Sequence, residues 1–517
     1  MDTRRVLVLQ DVAKRRLLQG AAALAVGSVL PTWRRAEAAA SSAYDIIVIG
    51  AGTAGMPLAI HAAARGARIL VVEKSPILGG NLDRSGAQTA ASGTVLQKAK
   101  NIVDNPDIHY AEVMRITRDI ADPNLTRLWT ANAGDTINWL ISIGLQYPSN
   151  APELTVNALP ASIPRVQGPI GAGKGVLKVM EPLFNQAVAS GRITIRFSSR
   201  VVDLIQDNKG AVVGVVILDD KGGLSDAMGQ NVVLSSGGCM ANPRLFQELH
   251  NNTPLFFAAG YPFDEGDGLI LGQGAGGYLR GQDAYGLMLA SVMEENVIPS
   301  VPIAGFVNDP KNRPPPEIWV NTRGERWAAE DGTNAPLKEN ALREQPGHRY
   351  WAIHDQDAFE KMPAMLRGWN AEKYNKSFGT QVMFTKAQSL HELGAKARID
   401  PHNLAATVAR YNAAQASGSP DQFGRQYRPG PLAKPPFYAV QLQGTTLITR
   451  VGLTVDHTLR VIRPDGTPIP NLYACGEVIG GMATQGNTWC TGNMVTPALT
   501  FGRQLGKEIL KFPARKA

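Results

Sequence analysis

Cysteine is scarce in this chain of 517 residues. The three cysteines are Cys239, Cys475 and Cys490, and none belongs to a Cys-x-x-Cys pair or to the Cys-x-x-Cys-His motif that attaches haem. The sequence therefore argues against a disulfide framework, against a cysteine-ligated cluster and against a covalently attached haem within the chain.

Clustered basic residues are missing from most of the chain. The formal net charge is +8, but residues 1–40 carry seven basic and three acidic side chains, and the other 477 residues carry 45 and 41. Nucleic-acid binding needs Lys and Arg clustered on one element. We therefore predict no nucleic-acid partner.

Long hydrophobic runs are lacking as well. The apolar run 17–30 is too short to span a bilayer comfortably. It follows Lys14-Arg15-Arg16 and precedes small residues with Ala36-Glu37-Ala38 as one possible cleavage site. Paired arginines before a weakly apolar core are typical of a twin-arginine signal. We predict that residues 1–40 are a signal peptide and that the twin-arginine machinery exports the folded protein to a bacterial periplasm.

Glycine is abundant, with 53 residues, and the N-terminal glycines form a recognisable pattern. The β-branched run 44–49 predicts a strand that leads directly into Gly50-Ala51-Gly52-Thr53-Ala54-Gly55. Residues 56–65 then predict a helix, and residues 68–72 predict a second strand that ends at Glu73. This order is that of a dinucleotide-binding unit.

Each part of this unit has a physical task. Gly50 allows the tight turn, Gly52 lets the backbone approach a pyrophosphate, and Gly55 lets helix and strand pack closely. The helix N-terminus offers N–H groups to the phosphates, and Glu73 can accept hydrogen bonds from a ribose. The sequence thus predicts a Rossmann-like nucleotide site.

Two other glycine-rich stretches match nucleotide motifs only in part. Residues 272–277 fit the Gly-x-Gly-x-x-Gly pattern but continue a helical apolar stretch, without a preceding strand. Residues 168–174 match most of a phosphate-binding loop, but Gly175 stands where Ser or Thr must hold magnesium. We reject both, and we predict no separate NAD(P)H domain.

Further motifs follow the fingerprint in a defined order. They are Lys74, Gly79-Gly80-Asn81, Ser85-Gly86, Val232 to Gly238, Gly266-Asp267-Gly268, Val320-Asn321, Gly324-Glu325-Arg326, Leu472 to Glu477 and Thr496 to Arg503. As a set they resemble the fumarate reductase/succinate dehydrogenase flavoprotein family, which includes the 3-ketosteroid dehydrogenases. The resemblance extends from about Tyr44 to the C-terminus.

The resemblance implies an α/β fold, with a Rossmann-like FAD-binding domain and an inserted α+β domain that caps the substrate. We predict the first part of the FAD domain at 41–280, the capping domain at 281–440 and the C-terminal part of the FAD domain at 441–517. Some members attach FAD to a histidine shortly after the Gly-Gly pair. Residues 81–88 hold no histidine, so non-covalent FAD is predicted.

The fingerprint and the family's motifs together predict a set of FAD-binding residues. They are Gly50, Gly52, Thr53, Ala54, Gly55, Glu73, Lys74, Gly80, Asn81, Ser85, Gly86, Val201, Ser236, Gly237, Gly238, Asp267, Gly476, Glu477, Asn493, Met494 and Val495.

The chain departs from fumarate reductases where those proteins bind substrate. Asn334 stands near the position of the proton-donating arginine, Trp489 falls at the carboxylate-binding arginine, and Ile448-Thr449 stand where a histidine is usual. A small dicarboxylate needs several fixed cations once it leaves water. These residues therefore favour a larger, less charged or aromatic substrate over fumarate.

The predicted catalytic residues are Arg450, Tyr285, Asn334 and Trp489. Arg450 lies in the segment that returns from cap to flavin, where it could bind a substrate oxygen or form an inter-domain salt bridge. Tyr285 is a possible acid/base, and so is His354, although either could be a packed side chain. Trp489 could stack on the substrate or fill the core.

The resemblance implies an FAD-dependent oxidoreductase that transfers a hydride between flavin N5 and a CH–CH or C=C bond activated by a carbonyl or carboxylate. One alternative is dehydrogenation of a ketosteroid, although Thr488 occupies the position of that branch's C-terminal tyrosine. Another is a non-catalytic flavin-binding or electron-transfer subunit. The expected partners are a small organic substrate and an external electron donor or acceptor, such as a quinone, a cytochrome or another protein.

Overall fold

The computed structural model describes residues 43–154, 161–257, 260–284, 287–361 and 365–512. The predicted signal peptide, residues 1–40, and the predicted catalytic residue Tyr285 lie outside these residues. No helix in the described part of the chain is long and apolar enough to cross a membrane.

The chain alternates strands and helices before and after a region richer in antiparallel strands. The strands are β1 Tyr44–Ile49, β2 Ile69–Val72, β3 Thr89–Ala90, β4 Val166–Gln167, β5 Ile193–Arg196, β6 Arg200–Gln206, β7 Val212–Leu218, β8 Leu224–Leu234, β9 Leu279–Arg280, β10 Met288–Met293, β11 Pro302–Gly305, β12 Ile318–Val320, β13 Arg349–His354, β14 Phe384–Ala387, β15 Phe437–Thr445, β16 Gly452–Leu453, β17 Arg460–Ile462 and β18 Pro468–Ala474.

The helices follow the same order. The α-helices are α1 Gly55–Ala64, α2 Val95–Ala99, α3 Pro106–Thr117, α4 Pro123–Ser142, α5 Ala172–Ala189, α6 Pro243–Leu249, α7 Asp267–Gly274, α8 Ala335–Arg343, α9 Gln356–Lys361, α10 Ala371–Ser377, α11 Leu390–Ala397, α12 Pro401–Ala416, α13 Met482–Gln485 and α14 Val495–Gln504. Short 3₁₀ turns cover Gly80–Arg84, Pro346–His348 and Glu477–Ile479, and a π-helical turn covers Leu505–Ile509.

A mixed sheet with a parallel centre, β18-β8-β1-β2-β5, forms the first layer of the fold. Its strand order is β17-β18-β8-β1-β2-β5, with β7 also paired to β8, and β6 to β7. Strand β1 is parallel to both neighbours, so that Val48 lies opposite Val71 on one side and Val233 on the other. Such centrally placed parallel strands are buried on both faces, which explains their continuous apolar sequences. The predicted Rossmann-like α/β fold is confirmed.

The return of the chain to this sheet explains the importance of the C-terminal segment. Strand β18 lies parallel to β8, with Leu472 opposite Val232 and Ala474 opposite Leu234. Helix α14 then packs against α1 and α4. Residues that are more than 400 positions apart in the chain therefore meet at one edge of the sheet.

A second sheet is formed by strands from residues 288–445. Its order is β11-β10-β15-β13-β12, with β14 paired to β15, and the pairs are antiparallel. Every residue of the central strand β15 is buried. Its strands lie within residues 281–440, the predicted capping domain, except that β15 continues to Thr445. A capping role for this unit stays a prediction.

The two partial motifs rejected above have packing roles in this fold. Gly272 lies within α7, where an added Cβ would overlap the side chain of Leu453. Gly173 lies in the first turn of α5, where an added Cβ would overlap the carbonyl oxygen of Leu82. Their missing side chains thus allow close contact between elements.

Candidate functional site

A cavity of about 690 Å³ opens where the central parallel strands end. Its wall includes residues at the carboxyl ends of three strands: Ile49 and Gly50 after β1, Glu73 after β2, and Ser235 and Ser236 after β8. Ligands in open α/β sheets bind at this edge. The strand order therefore accounts for the position of the cavity.

Three glycines of the turn after β1 have different structural roles. Gly50 has φ +99°, which side chains rarely adopt, and an added Cβ on Gly55 would overlap the carbonyl oxygen of Gly50. Gly52 differs, because the nearest atom to its added Cβ is the carbonyl oxygen of Gly79, 3.8 Å away. Gly52 lines the cavity, so the open space beside it is part of the cavity. A pyrophosphate fits this cradle, since the backbone is uncovered at the N-terminus of α1.

Glu73 is fixed at the tip of β2 by two backbone donors. Its carboxylate accepts hydrogen bonds from the N–H of Ala51, at 2.6 Å, and from that of Ser75, at 2.8 Å. Burial raises the pKa of Glu73, although these hydrogen bonds oppose the shift. The carboxylate is thus held beside the glycine turn, where a ribose hydroxyl could donate to it.

Charged residues surround the same end of the cavity. Lys74 forms ion pairs with Glu265 and, at 2.9 Å, with Asp267. Arg200 also binds Asp267, at 2.6 Å. Lys74, Arg200 and Asp267 all line the cavity, so both cations there are already paired with carboxylates.

Two acids on the cavity wall are bridged by one amide. The Nδ2 atom of Asn81 lies 3.1 Å from an oxygen of Asp264 and 3.3 Å from an oxygen of Glu477, whose other oxygen accepts from the N–H of Thr449. Burial raises the pKa of Asp264 to about 6. Burial, and then the neighbouring Asp264, raise the pKa of Glu477 to about 8. The backbone N–H groups of Met240 and Gly238 also face the Asp264 carboxylate, and they oppose the rise of its pKa.

This acid pair should make the stability of the FAD-free protein depend on pH. The folded protein holds a proton on Glu477 that the unfolded chain releases near pH 4.5, so this residue's contribution to stability is complete below that pH and is lost as the pH rises to about 8. In Glu477→Gln the side chain is neutral at every pH. We expect the free energy of unfolding of the variant, relative to the parent, to increase between pH 5 and 8 in urea titrations. A difference that stays constant with pH would contradict the assignment.

The structure places almost all the predicted cofactor residues on the cavity wall. The exceptions are Gly55, Gly238 and Asn493. Gly55 and Gly238 lie directly behind the wall, because an added Cβ would overlap Gly50 and Thr449 respectively. Asn493 is buried, and its N–H donates to the carbonyl of Cys490. Direct binding of FAD by this set remains a prediction.

The C-terminal part of the chain supplies one side of the cavity, which we call the C-terminal wall. We use this name for five of its residues, Leu447, Ile448, Gln485, Trp489 and Cys490; the same part of the chain also lines the cavity with Gly476, Glu477, Gly492, Met494, Val495 and Ala498. Trp489 thus lines the cavity, and its role in catalysis stays a prediction. Burial raises the pKa of the Cys490 thiol to about 12, so it is uncharged at neutral pH.

Two other predicted catalytic residues, Asn334 and Arg450, have structural contacts away from the wall. Asn334 caps α8, where its side chain accepts from the N–H of Leu337. Arg450 is 1% exposed, and its Nη1 donates to the carbonyls of Gly486 and Thr488. Neither residue lines the cavity, so a direct role for either in catalysis stays a prediction.

His354 is a packed side chain, which is one of the two roles that the sequence left open. It is fully buried and stacks on Tyr438, with ring centroids 5.1 Å apart. Burial lowers its pKa to about 4. This ring is neutral at physiological pH and packs within the second sheet.

Asp264 and Gln485 were missed by the sequence reasoning. Asp264 stands two residues before the recognised Gly266-Asp267-Gly268 motif, so its position close to a cofactor motif was an available signal. Gln485 ends the short helix that follows Gly480-Gly481, and a helix of this length shows no hydrophobic periodicity in the sequence. Only the folded chain shows that both residues face one cavity.

Comparisons with known proteins agree with this geometry. The family model described as FAD binding domain matches residues 45–493. Fumarate reductase (cytochrome) of Shewanella frigidimarina is 29% identical over 470 residues, which cover 90% of this chain and 77% of that protein. Vinyl phenol reductase of Lactiplantibacillus plantarum is 27% identical over 91% of this chain and 97% of that protein.

Solved structures show the same fold. The open conformation of a flavocytochrome c3 fumarate reductase matches with a TM-score of 0.67 and 25% identity, over 90% of this chain and 78% of that one. The 3-ketosteroid delta1-dehydrogenase of Sterolibacterium denitrificans matches with a TM-score of 0.71 and 19% identity, over 90% of this chain and 99% of that one. At this identity the second likeness concerns the fold alone.

Proposed function

The chain belongs to the FAD binding domain family represented by that model, and on this premise we propose that it acts on a carbon–carbon bond of a largely uncharged substrate rather than on fumarate. It is an FAD-dependent oxidoreductase of the CH–CH/C=C class, related to the fumarate reductase flavoproteins. When bound, FAD supplies a hydride donor or acceptor at N5. The residues of this chain bind the cofactor and select the substrate.

One observation carries the proposal: the C-terminal wall presents no cationic side chain. The basic residues among the described lining of the cavity are Lys74, Arg84 and Arg200. Lys74 and Arg200 are paired with acids, and Arg84 donates to the carbonyl of Gly260. None of the three belongs to the wall formed by Leu447, Ile448, Gln485, Trp489 and Cys490.

The energetic consequence follows from desolvation. A dicarboxylate that enters a site of this kind loses hydration at two charged groups, and only closely placed cations compensate for that loss. Ile448 and Trp489 offer apolar surface in its place. An alkene activated by a ketone or an ester needs no such cations, and an aromatic substrate could stack on Trp489.

Fumarate and its dimethyl ester provide a direct test, because they share the alkene and differ in charge. The FAD-loaded protein is reduced anaerobically, and reoxidation by each compound is followed through the flavin absorbance. We expect kcat/KM for the diester to exceed that for fumarate by about 10-fold or more, since a tenfold preference needs only ~1.4 kcal/mol of unmatched desolvation. Faster reoxidation by fumarate would overturn the proposal. If neither compound, nor any enone, reoxidises the flavin, the wider proposal that the enzyme acts on an activated carbon–carbon double bond fails as well.

The second sheet supports the predicted substrate cap. Its strands lie between residues 288 and 445, that is, between the two segments that build the parallel sheet. We propose that this inserted unit covers the substrate beside the C-terminal wall. Hydrogen exchange with and without a bound substrate analogue tests the idea, and unchanged protection throughout 281–440 would contradict it.

Export is proposed from the sequence pattern of residues 1–40. The paired Arg15-Arg16 and the apolar run 17–30 support recognition by the twin-arginine machinery, which transports proteins that have already bound their cofactor. The N-terminal sequence of the mature protein in a periplasmic fraction is the deciding measurement. A precursor that stays full-length in the cytoplasm would contradict export.

An external redox partner is proposed for the same enzyme. No cluster of residues suited to holding a metal ion occurs in the described part of the chain, and the sequence carries no haem-attachment motif. A quinone, a cytochrome or another protein would then exchange electrons with the flavin. Reduction of the FAD-loaded protein by candidate donors in stopped flow distinguishes among these classes, and direct reduction by NADH alone would contradict this proposal.

A further inference from the structure

A rigid turn carries Gln485 on the C-terminal wall. Gln485 ends the short helix α13, and its N–H donates to the carbonyl of Gly481 at 2.9 Å. The chain then turns at Gly486, which has φ +56°. Nη1 of the buried Arg450 donates to the carbonyls of Gly486, at 2.8 Å, and Thr488, at 3.0 Å. The position of Gln485 is therefore fixed by contacts on both sides of the turn.

The orientation of the Gln485 amide is also determined. Its Oε1 lies 3.4 Å from the N–H of Cys490. Because a backbone N–H can only donate, the oxygen of the amide must face Cys490, and Nε2 must face the other way. This argument fixes which end of the side chain is the donor.

The donor end of Gln485 has no acceptor among the described residues. Nε2 is buried without a hydrogen-bond partner, and the side chain as a whole is fully buried against protein and cavity. Buried amide groups are nearly always paired in folded proteins, since an unmade hydrogen bond at such a group is costly. An unpaired donor on the wall of a ligand cavity therefore indicates an acceptor that arrives with a ligand.

The neighbours of Gln485 limit the chemistry of that acceptor. Ile448 and Trp489 provide no acceptor, and the Cys490 thiol is neutral. The uncharged NH2 group of Gln485 suits a carbonyl oxygen, whereas a carboxylate leaving water requires a cation. These side chains thus match a neutral group that carries an acceptor oxygen.

We propose that Gln485 is a substrate-binding residue whose Nε2 donates a hydrogen bond to the carbonyl oxygen that activates the substrate's carbon–carbon bond. This inference rests on the proposed function and specifies its substrate class: enones, and esters conjugated to an alkene. In the direction of reduction, the alkene gains a hydride at the carbon farther from the carbonyl and its π electrons move toward the carbonyl oxygen. A proton from solvent is then added at the nearer carbon, and reduced FAD would supply the hydride, that is, the two electrons. The Nε2–H of Gln485 stabilises the negative charge that develops on the oxygen.

Two variants test this role in the FAD-loaded enzyme. Gln485→Met keeps the length of the side chain and removes the donor, so kcat/KM for dimethyl fumarate or an enone should fall about 10-fold, mainly through kcat. Gln485→Glu keeps the acceptor for the Cys490 N–H, but its ionised form repels the developing oxyanion. Its protonated form restores an O–H donor. The ratio of variant to parent kcat/KM should therefore rise as the pH falls through the raised pKa of the new buried carboxyl. A merely structural role would give no such pH-dependent rescue.

Thr484→Ser is the matched control on the same short helix, because Thr484 is buried and does not line the cavity, and serine keeps the hydroxyl that donates to the sulfur of Met494. It should leave kcat/KM within about 2-fold of the parent, since it removes one methyl group outside the wall. Equal losses in Thr484→Ser and Gln485→Met would overturn the specific role of the amide.

FAD would bring carbonyl oxygens of its own on the flavin ring, and these are the alternative acceptors for Gln485. If Nε2 binds one of these, Gln485→Met should shift the flavin midpoint potential and slow reoxidation by ferricyanide as well as by the alkene. An unchanged potential and an unchanged ferricyanide rate, with slower alkene reduction, support the substrate assignment, and the opposite pattern overturns it. Failure of the parent enzyme with every alkene is a failure of the proposed function, whereas an active parent with unaffected Gln485 variants is a failure of this inference alone.

Discussion

Replacing Gly52 with valine is expected to leave the protein folded and to weaken FAD binding about 100-fold or more, equivalent to ~2.7 kcal/mol. The added Cβ has room in the FAD-free protein, because its nearest neighbour is the carbonyl oxygen of Gly79 at 3.8 Å. That room is part of the cavity in which the pyrophosphate must approach the backbone. Titration of the FAD-free variant with FAD, followed by flavin fluorescence, measures the loss.

The chain contains its own control for this substitution. Gly274 is the second glycine of the other Gly-x-Gly-x-x-Gly match, lies exposed at the end of α7, and has no atom within 4 Å of an added Cβ. Gly274→Val should bind FAD as the parent does, and both variants should unfold within a few degrees of it. Normal FAD affinity in Gly52→Val would show that the phosphates do not lie against this turn. Loss of the fold in Gly52→Val would instead contradict the open space beside the residue.

Replacing Arg425 with methionine should destabilise the second sheet by about 3–5 kcal/mol, the usual cost of breaking a buried ionic network. The side chain of Arg425 is fully buried beneath that sheet. It lies 3.1 Å from Glu330 and donates to the backbone carbonyls of Glu317 and Pro315. Methionine fills much of the space but donates no hydrogen bond, so the buried carbonyls of Glu317 and Pro315 would lose this donor. The Glu330 carboxylate would lose one cation and keep its pairing with Arg326.

Arg410→Met is the comparison that separates this effect from the loss of a positive charge. Arg410 is exposed on α12 and donates to the hydroxyl of Thr407. Its replacement should change stability by less than about 0.5 kcal/mol, as is usual for surface positions. Urea unfolding, followed by tryptophan fluorescence, measures both variants. Equal stability of the two would contradict the network described around Arg425.

The sequence predicted the nucleotide end of the fold because its signals are local. Strand β1, the turn Gly50–Gly55, helix α1 and strand β2 follow one another within about thirty residues, and each is set by near neighbours: β-branched residues, positive φ at Gly50, and an uncovered helix N-terminus. The later family motifs then identified the cofactor as FAD.

The catalytic side was less predictable because side-chain direction is not encoded in motif spacing. Arg450 follows the recognised segment, yet its guanidinium turns away from the cavity to bind the carbonyls of Gly486 and Thr488. Asn334 stands at the expected position, yet its side chain caps α8. Trp489 does line the cavity, although spacing alone could not distinguish a stacking residue from a core residue.

The sequence by itself determined the α/β fold, the glycine turn of the dinucleotide motif and the presence of Trp489 where fumarate reductases have an arginine, because each depends on residue type at neighbouring positions. Tertiary structure alone decided the rest. Asn81 lies 183 residues from Asp264 and 396 from Glu477, yet one amide bridges both acids. The unpaired Nε2 donor of Gln485 is likewise visible only in the folded chain, where Arg450 holds the turn at Gly486. Such contacts depend on the register and packing of distant elements, which no local pattern specifies.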